Sequence, residues 1–75
     1  MYQRIKDLRE DLDLTQQKLA DHLGCRQRAY SHYERGDVDI PTNILIKLAN
    51  FHHTSVDYLL GLTDERNPYP YKHMK

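Results

Sequence analysis

Apolar residues recur along this chain at helical spacing. Ile5, Leu8 and Leu12 stand at i, i+3 and i+7, one face of a first helix. Leu14 follows, and Thr15 is a good N-cap for a second helix whose stripe is Leu19, Ala20 and Leu23. Gly24 fits the stop of that helix. Ala29, Tyr30 and Tyr33 make a third stripe, and Gly36 stops it in the same way. A turn-rich connection runs from Asp37 to Pro41. Thr42 then caps a fourth helix, with Ile44, Leu45, Leu48 and Phe51 inward. Ser55 caps a fifth, with Val56, Leu59 and Leu60 inward and Gly61 near its end. No stretch alternates with period two over a strand's length, so no sheet is expected. The pattern predicts an all-α, compact five-helix bundle over residues 1–65.

Residues 66–75, Arg-Asn-Pro-Tyr-Pro-Tyr-Lys-His-Met-Lys, break the pattern. Two prolines at alternate positions prevent a helix. This Pro/Tyr-rich C-terminal tail is either a loose terminus or an extended arm that docks its tyrosines on this protomer or a partner.

Composition narrows the function. Seventy-five residues make one small domain, 39% hydrophobic and 29% charged, with mean hydropathy −0.86. That is a soluble composition with a thin core and little room for a deep cleft, which weighs against an enzyme. No apolar run approaches the ~20 residues of a membrane span. Met1-Tyr2-Gln3-Arg4 leads into a charged stretch and does not fit a signal peptide. One cysteine, Cys25, excludes an intramolecular disulfide and fits a reducing, cytoplasmic setting.

The net charge is zero, which weighs against purely nonspecific nucleic-acid binding. The distribution is polarised. Residues 15–36 carry Lys18, Arg26, Arg28 and Arg35 against Asp21 and Glu34. Residues 37–65 carry only Lys47 against Asp37, Asp39, Asp57, Asp64 and Glu65. Two readings stand: a mixed solvated surface, or a basic middle that faces an anion while an acidic half faces away.

The second and third helices, joined by a tight glycine turn, form a helix-turn-helix plan. The residues that carry it are Leu14-Thr-Gln-Gln-Lys-Leu-Ala-Asp-His-Leu-Gly24 and Tyr30-Ser-His-Tyr-Glu-Arg-Gly36, supported by Ile46-Lys-Leu-Ala49 and Ser55-Val-Asp-Tyr-Leu-Leu-Gly61. Over roughly residues 4–62 the chain resembles the phage-repressor-like (XRE-type, Cro-like) DNA-binding family. The resemblance implies a lambda-repressor-like fold whose third helix, about residues 26–34, enters the major groove. It also implies a homodimer on a palindromic double-stranded operator, with half-sites ~34 Å apart.

A recognition helix reads base edges through its N-terminal turns. Counted from Gly24, those positions are Arg26, Gln27, Arg28 and, one turn on, His32. By the family's pattern Gln27, Arg28 and His32 match base-reading positions, while Arg26 serves base or backbone. Gln pairs bidentately with adenine and Arg with guanine. The resemblance gives Gln16, at the first turn of the second helix, a phosphate contact. Gln17, Lys18, Arg35 and Asn43 are further phosphate candidates. The family also pairs a helix-1 arginine with the glutamate of its Glu-x-Gly motif. Arg9 and Glu34 match those positions and are expected to form a structural ion pair.

The chain departs from the family at several positions. Arg26 stands where Ser or Thr usually caps the third helix, and Lys18 where Glu completes a capping box. His53 stands where Gly is common, and Asp37 and Asp39 replace what is often basic. Two carboxylates near a DNA backbone would repel it, unless the loop turns away.

Other chemistry is less legible. His22 and Cys25 have His-x-x-Cys spacing, and His32, His52 and His53 add imidazoles, but no second ligand pair completes a tetrahedral metal set. Cys25 reads as a small apolar plug in the turn. No nucleophile, base and orienter combine, and no glycine-rich phosphate loop is present, so no cofactor is expected. The leading expectation is a DNA-binding transcriptional regulator of repressor type. The alternative is an antitoxin or other protein-interaction module on the same fold, suggested by the acidic 37–65 half and the tyrosine tail. Tyr58, Leu60 and Leu62 are the expected contact patch of a dimer.

Overall fold

The computed structural model describes residues 2–68. Among them are five helices and no strand: α1 (Gln3–Asp11), α2 (Gln16–Leu23), α3 (Gln27–Arg35), α4 (Thr42–Phe51) and α5 (Val56–Leu59). The arm reading of the tail falls mostly on residues 69–75, which lie outside the described residues. No described helix is long and apolar enough to cross a membrane.

Local chemistry sets most boundaries. The Thr15 hydroxyl accepts from the Lys18 N–H at 3.1 Å and starts α2. Gly24, left-handed at φ 74°, ends it, and the Cys25 N–H donates back to the Ala20 carbonyl at 3.0 Å. Gly36 at φ 78° does the same for α3. The Ser55 hydroxyl accepts from the Tyr58 N–H at 3.1 Å and starts α5. No side chain caps α3, where Arg26 holds the N-cap.

Two expectations fail here. Leu12 is not on the buried face of α1; it is 54% exposed. The helix ends at Asp11, and Asp13 enters the left-handed region at φ 56°, which swings the chain toward α2 before the stripe is complete. Thr42 does not cap α4. Pro41 is the extended N-cap residue, its carbonyl accepts from Ile44 and Leu45 at 3.0 Å each, and Thr42 is the first helical residue.

The core gathers Ile5 and Leu8 from α1, Leu19, Ala20 and Leu23 from α2, Tyr30 from α3, Ile44, Leu48 and Ala49 from α4, and Leu59 from α5, with Ile40 from the connection. Helix α3 packs on α1 and α2, α4 on α2 and α5, and α5 closes against α1. Cys25 is half-buried against this core, and burial pushes its thiol up. A thiol so held is a filler of space rather than a nucleophile. Among the described residues no group of His, Cys, Asp and Glu is placed to hold a metal.

Two long-range devices tie the segment after α5 to the bundle. Arg4 donates to the Tyr58 carbonyl at 3.1 Å, to the Thr63 carbonyl and to the Asp64 carboxylate at 2.6 Å. Its guanidinium also lies 4.3 Å from the centre of the Tyr58 ring. The Thr54 hydroxyl donates to the Arg66 carbonyl at 2.5 Å.

Residues 52 and 53 generate two predictions. His52 is 6% exposed and its Nε2 has no hydrogen-bond partner among the described residues. Burial, aided by the Arg66 charge, pushes it down to about 4. The unfolded chain takes up that proton near pH 6.5, so stability is complete above that value and is lost as pH falls toward 4. Urea titrations at pH 7 and pH 5 should differ by about 2 kcal/mol from this residue, a difference that His52→Gln removes. His53 is left-handed at φ 54°. Relief of that strain exceeds the added freedom of the unfolded chain, so His53→Gly should raise stability by about 0.5 kcal/mol, visible as a Tm rise of a few degrees.

Candidate nucleic-acid interface

The α2–turn–α3 unit is braced by three contacts. Lys47, on α4, donates to the Leu23 carbonyl at 3.1 Å and satisfies the exposed end of α2 just before the turn. Phe51 of α4 stacks at a tilt on His22 of α2, with ring centres 5.2 Å apart. The third brace is a chain of polar side chains around Glu34.

Glu34 is buried, with its side chain 4% exposed. Arg9 grips it with both prongs of the guanidinium, Nε to Oε2 at 2.9 Å and Nη2 to Oε1 at 3.0 Å. The remaining arginine nitrogen, Nη1, donates to the Leu14 carbonyl at 2.7 Å. Gln16 adds a bond to Glu34 Oε1 at 3.1 Å, and Gln27 donates to Gln16 Oε1 at 2.8 Å. Burial pushes the Glu34 carboxyl up. The bonds from Arg9 and Gln16, with the Arg9 charge, outweigh that and hold it below the usual carboxylate range. The bond to Glu34 raises the Arg9 guanidinium further still. The Tyr30 hydroxyl is buried beside the pair, and burial with the Glu34 charge pushes it far above an ordinary phenol.

The candidate residues fall into three groups. Arg26, Arg28 and Lys18 are exposed and have no side-chain partner among the described residues. Gln27 and Gln16 are brought together, half-buried, on the network just described. His32 and Arg35 follow Arg28 at i+4 and i+7 on the outer face of α3, and both engage Asp37. Gln17 bonds Asp21 along α2 at 2.9 Å, while Asn43 is exposed at the start of α4, away from the α2–α3 turn in sequence. Of the expected dimer patch, Leu62 is 72% exposed, whereas Tyr58 is half-covered by Arg4 and Leu60 is half-buried.

Three participants escape a reading of the sequence. Arg4 and Lys47 act on backbone carbonyls far away along the chain, and a carbonyl carries no side-chain signature. The Gln16–Gln27 bond spans two helices whose angle must be known before the contact is visible.

Arg9→Ala leaves the Glu34 charge buried and unmatched, so it should cost about 3–5 kcal/mol in urea unfolding. Arg9→Lys retains the charge but loses the two-pronged grip, and should cost less. A full-sized loss from Arg9→Ala that Glu34→Gln partly restores would identify the pair as its source.

Comparison with known proteins agrees with this architecture. A family model described as helix-turn-helix matches residues 5–59. The chain is 39% identical over 66 residues to the uncharacterized HTH-type transcriptional regulator YobD of Bacillus subtilis, covering 88% of this chain and 59% of that protein. It is 40% identical over 58 residues to the HTH-type transcriptional regulator ImmR of the same organism, covering 77% of this chain and 46% of that protein. The chain thus spans about half the length of these curated relatives. A crystal structure of the P22 c2 repressor in complex with the synthetic operator 9T superimposes with a TM-score of 0.72 at 31% identity, over 77% of this chain and 88% of that one. The chain belongs to the helix-turn-helix family, of the phage-repressor-like type that its sequence resembles.

Proposed function

We propose that this protein is a sequence-specific transcriptional regulator, a repressor, that reads the DNA major groove with α3 as a homodimer. The family is one of DNA-binding regulators rather than enzymes. The observation that carries the reading is the set of exposed, unpartnered cations Lys18, Arg26 and Arg28 around a rigid α2–turn–α3 unit. The fold is similar to that of the P22 c2 repressor, whose matched structure holds a synthetic operator.

Roles follow from the chemistry of each side chain. Arg28 offers a guanidinium fork to guanine, and Gln27 an amide to adenine. Gln27 spends one donor on Gln16, which leaves its carbonyl and second N–H for a base edge. Arg26 at the N-cap of α3 and His32 one turn later complete the base-reading set. Gln16, Gln17 and Lys18 at the start of α2, with Arg35 and Asn43, meet phosphates. The dimer forms through α5 and the segment after it, where Leu62 is the exposed apolar group. The regulator then works in the cytoplasm on a palindrome with half-sites ~34 Å apart.

The test is selection from a randomised duplex library at two salt concentrations. A recovered palindrome is expected, and its spacing reports the dimer geometry. Gln27→Ala with Arg28→Ala should weaken the selected site by about a hundredfold and leave nonspecific binding nearly intact. Lys18→Ala should weaken all sequences alike and flatten the salt dependence by about one unit of slope. If no duplex is retained at either salt, the antitoxin or protein-interaction reading, favoured by the acidic surface of residues 37–65, takes first place.

A further inference from the structure

The connection after α3 carries two carboxylates, Asp37 and Asp39. The structure gives Asp37 a definite place. Gly36 turns the backbone so that the Asp37 N–H donates to the His32 carbonyl at 3.0 Å. That bond anchors Asp37 over the last turn of α3 and brings its carboxylate to both cationic groups there. Asp37 Oδ2 forms an ion pair with Arg35, 3.0 Å from its Nε, and lies 3.2 Å from His32 Nδ1. Arg35 Nη2 also lies 3.0 Å from the same imidazole nitrogen. A bare Nδ1 accepts from Arg35, a protonated one donates to Asp37, and in both states the three side chains stay joined. The bond from His32 first, and the Arg35 charge with it, hold the Asp37 carboxyl below its usual range. Arg28, one turn earlier on the same face, has no such counter-charge among the described residues.

A carboxylate oxygen held between a guanidinium and an imidazole has the chemistry of a phosphate oxygen in the same place. We propose that Asp37 is an intramolecular stand-in for a DNA backbone phosphate. In the free protein it occupies Arg35, the phosphate contact, ties the base-reading His32 to the same place, and is displaced when DNA reaches α3. The inference rests on the reading of α3 as the DNA-facing helix. An exposed ion pair is weak enough for a phosphate to displace. The displacement weakens binding to every sequence, and Asp37 therefore sets how strongly the domain competes for DNA at a given salt concentration.

Asp39 supplies the control, because it carries the same charge in the same connection and makes no such bond among the described residues. The full chain is titrated onto a fluorescent duplex, the enriched one if selection yields it and a random one otherwise, at two salt concentrations. Asp37→Asn should bind about fivefold tighter than wild type at the lower salt. Its slope of log affinity on log salt should steepen by about one, since one more cation becomes available to a phosphate. Asp39→Asn should change binding by less than about twofold. In an Arg35→Ala, His32→Ala background Asp37→Asn should lose most of its effect. Equal gains from Asp37→Asn and Asp39→Asn, or a gain undiminished in that background, would reduce Asp37 to general repulsion and overturn the proposal. Wild type that binds duplex while Asp37→Asn is unchanged overturns the stand-in alone. Wild type that binds no duplex overturns the DNA reading, and the stand-in with it.

Discussion

A carboxylate in the interior of so small a domain is tolerable only if its charge is met from every side. Glu34 is met by Arg9 through two bonds and by Gln16 through a third. The cost of burial is repaid only by geometry this complete. In satisfying one side chain the fold therefore fixes three helices. Arg9 comes from α1, Gln16 opens α2 and Glu34 lies in the last turn of α3. The bond from Arg9 to the Leu14 carbonyl adds the α1–α2 connection to the same knot.

The surface of α3 inherits its order from that knot. Gln27 is held by Gln16, Gln16 by Glu34, and Glu34 by Arg9, so an amide on the outer helix is positioned by a guanidinium on the first one. A side chain held before its ligand arrives loses less freedom on binding, a saving of about 0.5–1.5 kcal/mol for each such group. Arg26 and Arg28, on either side of Gln27, make no such bond among the described residues and keep their freedom to adjust to the base edges they are proposed to read.

What was legible in the sequence depended on range. Thr15, Gly24, Gly36 and Ser55 act on backbone groups within a few residues, and each mark in the sequence corresponds to an observed helix boundary. Leu12 misled because helical periodicity says nothing about where a helix stops, and Asp13 is an uncommon host for a left-handed turn. Thr42 misled because Pro41 gives the same extended entry without a side-chain cap. The pairing of Arg9 with Glu34 was reached through a family pattern, since no local rule links residues that far apart. The acidic connection was visible as an anomaly at Asp37, yet its partners were not, because they depend on how Gly36 turns the chain.

Arg4 joins α1 to carbonyls and a carboxylate 54 to 60 positions further along the chain. Closing so long a loop carries a large entropy cost, and the contacts that follow are rewarded only after the intervening helices are in place. The four-residue α5 is too short to persist by itself and holds its shape by packing on α4 and α1. Fraying at one end of the bundle is thereby coupled to fraying at the other. Opening of either terminal helix removes contacts that the other relies on.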